Sequence, residues 1–175
     1  MPDRETYERY YANQMLRLYQ AENRIAGLVD DLIGEVHDKE LKQVLEQQKE
    51  VLDEDVETVA RMYERLGVEG DSRRAEAFGQ VVAEAEQSID ALGDLPPSIQ
   101  DLETIVILEE LQGEAKSTRQ MLYLHAQQMG LDEDVMEFES MQQRKNRMDQ
   151  KLTNVARTNL YGDGEAISPP RPRVR

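Results

Sequence analysis

Apolar residues recur along this chain at helical spacing. Between Arg4 and Glu35, the positions Tyr11, Met15, Leu18, Glu22, Ile25, Val29 and Leu32 alternate steps of four and three. That rhythm predicts one long helix with a seam for neighbouring helices. Ala12, Tyr19, Ala26 and Ile33 widen the seam on one side, as a globular bundle requires. One seam member, Glu22, is a carboxylate. Val36-His37-Asp38 interrupts the pattern, and Asp38 is suited to cap the next helix through its side-chain oxygen. A break this short folds the second helix back antiparallel to the first. The second helix is expected to reach Leu66, with Leu41, Val44, Leu45, Gln48, Val51, Leu52, Val56, Val59, Tyr63 and Leu66 as its stripe. Gly67 supplies the left-handed stop.

The character changes from Val68 to Pro97. A loop at residues 68–71 leads into a shorter helix expected over Ser72 to Leu92, with Phe78, Val81, Val82, Ala85 and Ile89 on one face. Gly93-Asp94-Leu95-Pro96-Pro97 ends it, and Ser98 is available to cap the next helix. A third long helix is expected from Ile99 to Met129, stopping at Gly130. A fourth runs from Asp132 to Leu160 on the stripe Phe138, Met141, Lys145, Met148, Leu152 and Val155. Each long helix has about 28–32 residues and spans ~45 Å. Two tight turns make two antiparallel hairpins, and the stretch between them is long enough to carry the chain the length of the bundle. One such crossover distinguishes a ferritin-like four-helix bundle from a cytokine bundle, which has two, and from an up-down bundle, which has none. No period-two pattern is sustained, so no sheet is expected. Residues 1–161 form the bundle domain in this reading, and residues 162–175 form a tail.

Composition narrows the function classes. The 175 residues include 36 Asp and Glu, 21 Lys and Arg, two His, and neither Cys nor Trp. Without cysteine there is no disulfide framework, thiolate metal site or cysteine nucleophile. Two histidines leave no room for an imidazole-rich metal centre. A net charge of −15 disfavours nucleic acid and anionic membranes, both of which need a basic surface. The polar N-terminus does not read as a signal peptide, and no apolar run nears the roughly 20 residues that span a bilayer. The expectation is a cytoplasmic protein. No serine–histidine–aspartate set, phosphate loop or dinucleotide fingerprint occurs.

At Tyr19-Gln20-Ala21-Glu22-Asn23-Arg24 the chain resembles the YciE/YciF family, a bacterial ferritin-like stress-protein group. Lys39-Glu40-Leu41-Lys42-Gln43-Val44-Leu45, the spacing from Ile99 to Gly130, and Asp149-Gln150-Lys151-Leu152-Thr153 carry the same resemblance, which covers roughly residues 8–160. The resemblance implies a ferritin-like bundle, dimers, and an ancestral di-metal carboxylate centre. It places the family's first-helix carboxylate at Glu22. The second-helix histidine and glutamate fall at Gln48 and Val51, and the third-helix carboxylates at Gln112 and Ala115. A fourth-helix glutamate falls at Lys145, while Asp149 remains. Di-metal bundles draw on Glu-x-x-His motifs, and this sequence has none: Gly34 precedes His37 by three residues, and Leu122 precedes His125.

Taken from the residues themselves, the seams carry polar members at Glu22, Gln48, Gln112, Arg119 and Lys145. A charge in a helical seam is costly unless paired. The leading expectation is a Glu22–Lys145 pair with Gln48, Gln112 and Arg119 near the same layers. One alternative has Lys145 snorkelling outward with Glu22 at the seam's edge. Another has a residual iron or manganese site at Glu22 and Asp149. The methionines at 15, 62, 121, 129, 136, 141 and 148 are expected as core filler. His37 is expected to be solvated and His125 to be structural. Asp53-Glu54-Asp55 and Asp132-Glu133-Asp134 are expected as solvated faces and helix-terminal charge. Gly113, unfavourable inside a helix, is read as a close helix crossing or a backbone irregularity. Tyr7, Tyr10 and Tyr11 cannot all face one core and are candidates for a protein contact. The tail Ser168-Pro169-Pro170-Arg171-Pro172-Arg173-Val174-Arg175 offers Arg171, Arg173 and Arg175 on an extended proline-rich segment that could dock on a partner.

The function expected is therefore a non-enzymatic structural or interaction protein with a degenerate di-metal site and no cofactor. It would be a homo-oligomer, linked to stress by the resemblance. The alternatives are a di-iron or di-manganese carboxylate protein handling iron or peroxide, and an adaptor that joins a larger assembly through its tail.

Overall fold

A computed structural model describes residues 3–71 and 79–160. The start of the expected crossover helix, including Phe78, and the tail with Arg171, Arg173 and Arg175 lie outside the described residues. Asp3 opens helix α1 (Arg4–Glu35) by accepting from the Thr6 amide at 2.8 Å. Asp38 caps α2 (Lys39–Leu66) in the same way through Leu41 N, also at 2.8 Å. Gly67 then takes φ 61° and stops the helix, a conformation that costs a side-chain-bearing residue about 1–2 kcal/mol. The crossover carries α3 (Gly79–Asp90) and a single 3-10 turn, Leu92–Asp94. Helix α4 (Pro97–Met129) begins two residues earlier than the pattern suggested. Pro97 occupies the first helical position, where its missing N–H is no loss. Ser98 therefore lies inside the helix and Pro96 stands at the cap position. The Pro96 carbonyl accepts from Ile99 N and Gln100 N, and the Gln100 side chain donates to Leu95 O at 2.8 Å. Gly130 turns the chain at φ 69°, and α5 (Asp132–Val155) comes next with three acids in its first turn. Those acids complement the helix dipole where no side chain caps it. A wide π-type turn, Ala156–Leu160, completes the described chain.

The architecture is an all-α bundle, and among the described residues there is no strand. Helix α1 packs on α2 and α4, and α5 packs on α2 and α4, making a four-cornered bundle. Contacts fix the directions. Asp101 near the start of α4 meets His37 at the end of α1, while His125 near the end of α4 meets Tyr10 near the start of α1. Asp55 meets Arg144, and Arg65 meets Asp134. Neighbouring helices are thus antiparallel, and the crossover runs the bundle's length. The short α3 lies against α4 and α1 through Val82 and Ala85.

The core is the set of seams. Tyr11, Met15, Leu18, Ile25, Val29 and Leu32 of α1 are fully enclosed, together with Leu41, Leu45, Leu52, Val59 and Met62 of α2. Each such side chain contributes about 1.5–3 kcal/mol by leaving water. Asp101 clamps one end of the bundle. Its two carboxylate oxygens accept from His37 N and Asp38 N, both at 2.8 Å, and the His37 ring meets Gln100 Oε1 at 2.6 Å. His37 is exposed, as expected, but it is bonded rather than simply solvated.

Several expectations need correction. Met121 and Met136 are exposed, at 51% and 62%, so they do not fill the core; Met15, Met62 and Met141 do. A Cβ added at Gly113 would meet nothing within 4 Å, and α4 runs through it unbroken, so it marks neither a close crossing nor an irregularity.

Candidate functional site

Four helices meet at an enclosed cluster of charges. Glu22 of α1 is fully buried, and both of its oxygens are occupied. Lys145 of α5 donates to Oε2 at 3.0 Å, and the Arg119 guanidinium of α4 donates to Oε1. Lys145 Nζ also lies 3.4 Å from Oδ2 of Asp55 on α2. Asp55 is wholly buried too, and its Oδ1 accepts from Arg144 Nη2 at 2.7 Å and from Nε at 3.2 Å. Arg144 is braced by Ser140 Oγ at 2.8 Å and faces Glu54 at 3.5 Å. The result is an alternating chain: Arg119, Glu22, Lys145, Asp55, Arg144.

Each member arrives by its seam phase. Glu22 and Lys145 take the four-three positions of α1 and α5. Arg119 arises from a phase change in α4. The buried positions Asp101, Thr104, Leu108, Leu111, Ala115, Arg119, Leu122 and Ala126 contain two consecutive steps of four, at Leu111–Ala115–Arg119. Such a stutter unwinds the seam locally and brings Arg119, rather than Thr118, to the core.

The cluster's electrostatics are uneven. Burial pushes the Glu22 carboxyl upward, but the Lys145 and Arg119 charges and their hydrogen bonds outweigh it and hold the group below the usual carboxylate range. At Asp55 burial wins. The Glu22 charge adds to it, Lys145 and Arg144 offset it only in part, and the carboxyl is raised. The geometry agrees, because Asp55 Oδ2 accepts no hydrogen bond among the described residues.

Gln48 and Gln112 are buried as the seams require, but both stand two turns from the cluster along their own helices, toward the α1–α2 turn. Gln48 Oε1 and Gln112 Nε2 lack partners among the described residues. Asp149 is half-buried and does not figure among the charges bearing on Glu22. Its field falls on Glu109 of α4, whose carboxyl is raised by burial first and by Asp149 next.

Another buried carboxylate, Asp134, organises the end of the bundle opposite Asp101. Asp134 accepts from the Tyr11 hydroxyl at 2.8 Å and from Arg65 Nη2 at 2.6 Å. Burial, then the Asp134 charge, raises the Tyr11 phenol far above its ordinary value. This corrects two expectations. Tyr11 is enclosed at the seam and is not an interface residue, whereas Tyr7 and Tyr10 are 43% and 44% exposed. Asp55 and Asp134 are core residues rather than parts of solvated acidic faces, because each holds a seam position. Tyr10 meets the His125 ring edge-on at 5.2 Å.

A di-metal centre does not fit these donors. Iron and manganese need several convergent oxygen or nitrogen ligands. The centre supplies two carboxylates, each already paired with cations. Among the described residues, no group of three or more His, Asp or Glu side chains could hold a metal ion. No described helix is long and apolar enough to cross a membrane. No curated protein and no solved structure matches the chain. A family model described as a domain of unknown function, DUF892, matches residues 6–161, which take in the four long helices apart from the first two residues of α1 and include the whole charge cluster, and the chain belongs to that family.

Proposed function

We propose that this protein is a YciF-like, non-catalytic ferritin-like bundle that works as a structural or interaction module, with an ion cluster in place of a di-metal centre. The observation that carries the reading is the position of Lys145 Nζ, 3.0 Å from Glu22 and 3.4 Å from Asp55 at the meeting of the helices. An ammonium there bridges both carboxylates, whose charges it shares with Arg119 and Arg144, without exchangeable ligands or an open coordination position, so it offers no route for bound oxygen or peroxide. The YciF-like assignment draws on the resemblance of the α1 and α2 segments and agrees with the DUF892 match.

The test is elemental analysis of the purified protein, followed by an iron-oxidation assay. The reading expects iron and manganese far below one equivalent per chain and no turnover above the buffer rate. Stoichiometric metal with ferroxidase activity would overturn it in favour of an active di-metal protein.

An interaction role is supported by the α1–α4 surface. Tyr7 and Tyr10 are exposed beside His125, and Met121 and Leu124 are exposed on the same stretch of α4. Aromatic and methionine side chains are enriched at protein contacts. We propose that this surface joins two copies of the chain. Sedimentation equilibrium should report a dimer, and Tyr7→Ser/Tyr10→Ser should shift it toward monomer. A wild-type monomer at all concentrations would remove the proposal.

A further inference from the structure

The chain has no cysteine, so its thioethers are the soft, readily oxidised sulfur groups. A thioether reacts only as far as an oxidant can reach it. Met15, Met62 and Met141 are fully enclosed, Met148 is buried and Met129 is half-buried. Met121 on α4 and Met136 on α5 are exposed. The surroundings of these two differ. One turn to either side of Met136 stand Asp132, Glu133, Glu139 and Ser140, and Met136 shares a shallow depression with Arg65, Glu133 and Glu137. One turn to either side of Met121 stand Ser117, Thr118, Leu124 and His125, with no carboxylate among them. Leu124 is exposed, and the His125 ring meets the exposed Tyr10. Met121 thus belongs to the apolar surface that carries Tyr7 and Tyr10, whereas Met136 stands among charges.

We propose that Met121 is a modification site: oxidation of its sulfur by a hydroperoxide takes apart the dimer formed by the α1–α4 surface. The inference rests on the dimer reading and adds its regulation. With hydrogen peroxide, the sulfur lone pair attacks one peroxide oxygen, and the S–O bond forms as the O–O bond breaks. The departing hydroxide takes the proton left on the transferred oxygen and leaves as water. Sulfur gives up two electrons and the peroxide takes them. The sulfoxide carries a strong dipole where the thioether was a weak acceptor. In the free chain that dipole faces water at no loss. Between two copies it is a polar group buried without a partner, which is unfavourable. A two-fold contact presents the same patch from both copies, so the group enters the interface twice. Oxidation and association therefore oppose each other: the dimer shields Met121, and the sulfoxide disfavours the dimer.

The test treats the full chain with hydrogen peroxide. Peptide mass spectrometry reads which methionines gain oxygen, sedimentation equilibrium reads the dimer constant, and circular dichroism checks that the helices persist. In dilute protein, Met121 and Met136 should gain oxygen ahead of Met15, Met62 and Met141. Raising the protein concentration until the dimer prevails should slow oxidation at Met121 and leave Met136 unchanged. Oxidised wild type should dimerise about tenfold more weakly or worse. Met136→Leu should respond as wild type does, and Met121→Leu should keep its dimer constant through the treatment. Met121→Gln, which places an amide dipole at the same point, should dimerise about tenfold more weakly without any peroxide. A dimer constant that changes less than about threefold once Met121 is oxidised would overturn the proposal. So would Met121→Leu dissociating as wild type does, or a Met121 oxidation rate independent of protein concentration. A chain that sediments as a monomer before peroxide is added overturns the dimer reading and this switch with it, whereas a stable dimer indifferent to Met121 oxidation overturns the switch alone.

Discussion

The charge cluster predicts an asymmetry between its two central residues. Two buried carboxylates, Glu22 and Asp55, face three cations, Arg119, Lys145 and Arg144, while Glu54, 3.5 Å from Arg144, is exposed, so the enclosed set carries a surplus of one positive charge. Lys145→Met removes the surplus. Glu22 keeps Arg119, Asp55 keeps both Arg144 hydrogen bonds, and the methionine fills most of the lysine's volume. The loss is one charge-assisted hydrogen bond and one looser contact, about 1.5–3 kcal/mol. Glu22→Gln instead raises the surplus to two, takes from Arg119 its carboxylate partner and leaves Lys145 only its 3.4 Å contact with Asp55. Breaking a buried pair in this way costs about 3–5 kcal/mol. The double variant should cost less than the two singles together, with a coupling of about 1–3 kcal/mol. Urea unfolding at pH 7, monitored by helical circular dichroism, measures all three, provided the transitions keep one slope. Lys145→Met costing as much as Glu22→Gln, or singles that add within about 0.5 kcal/mol, would refute the network. The pH dependence comes from the same groups. Glu22 is held low, so its contribution is present above the unfolded carboxylate value and disappears only as pH falls through its lower folded value. Asp55 is raised, so it favours the fold at acid pH and gives up that contribution as pH rises through its folded value. Glu22→Gln should therefore lose more stability relative to wild type at pH 7 than at pH 3.

Three further outcomes can be checked with the same material. Tyr11→Phe should cost about 1–2 kcal/mol at pH 7, since Asp134 keeps Arg65 when the phenol is removed. Because the Tyr11 phenol is raised, wild type should lose stability as pH climbs past about 10, where the unfolded phenol ionises. Urea midpoints for the two proteins should therefore converge there, and a constant gap would contradict the burial argument. Gly113→Ala should stabilise the protein by about 1 kcal/mol, because the added methyl meets nothing; a lower urea midpoint would show a hidden constraint. Asp101→Ala should cost about 1–3 kcal/mol by leaving the His37 and Asp38 amides unpaired. Those two amides should lose hydrogen-exchange protection first, and unchanged protection would rule out the clamp.

The helices were legible because a four-three rhythm over about 30 residues leaves little else for a chain to do. The same rhythm contained more of the centre than an apolar reading of it extracts. In α2, steps from Leu45 through Gln48 and Leu52 land on Asp55 and then Val59 and Met62. The neighbouring Val56 makes an equally apolar stripe, and choosing it puts the carboxylate in water. In α5 the seam extended backward from Phe138 reaches Asp134, which helix-terminal charge explains just as readily. Hydrophobicity selects the wrong neighbour at these positions because burial tracks phase, and phase places a polar residue in the core wherever a partner can meet it. Partners were partly legible as well. Glu22 lies fifteen residues before His37, and Leu52 fifteen after it, so an antiparallel hairpin sets Asp55 within a turn of Glu22's level. The second turn does the same for Arg119 and Lys145, which stand eleven before and fifteen after Gly130. What no single seam encodes is how far one hairpin slides along the other, since the crossover's length permits several offsets. The charges themselves resolve that choice. A slide of one turn would leave Glu22 facing the apolar layers above or below Lys145, with buried carboxylates and cations unpaired, at a cost of several kcal/mol for each ion. The cluster therefore specifies the register of the two hairpins, as a lone polar residue does in a coiled coil, and this structural role is sufficient to account for its burial without any chemistry at the centre.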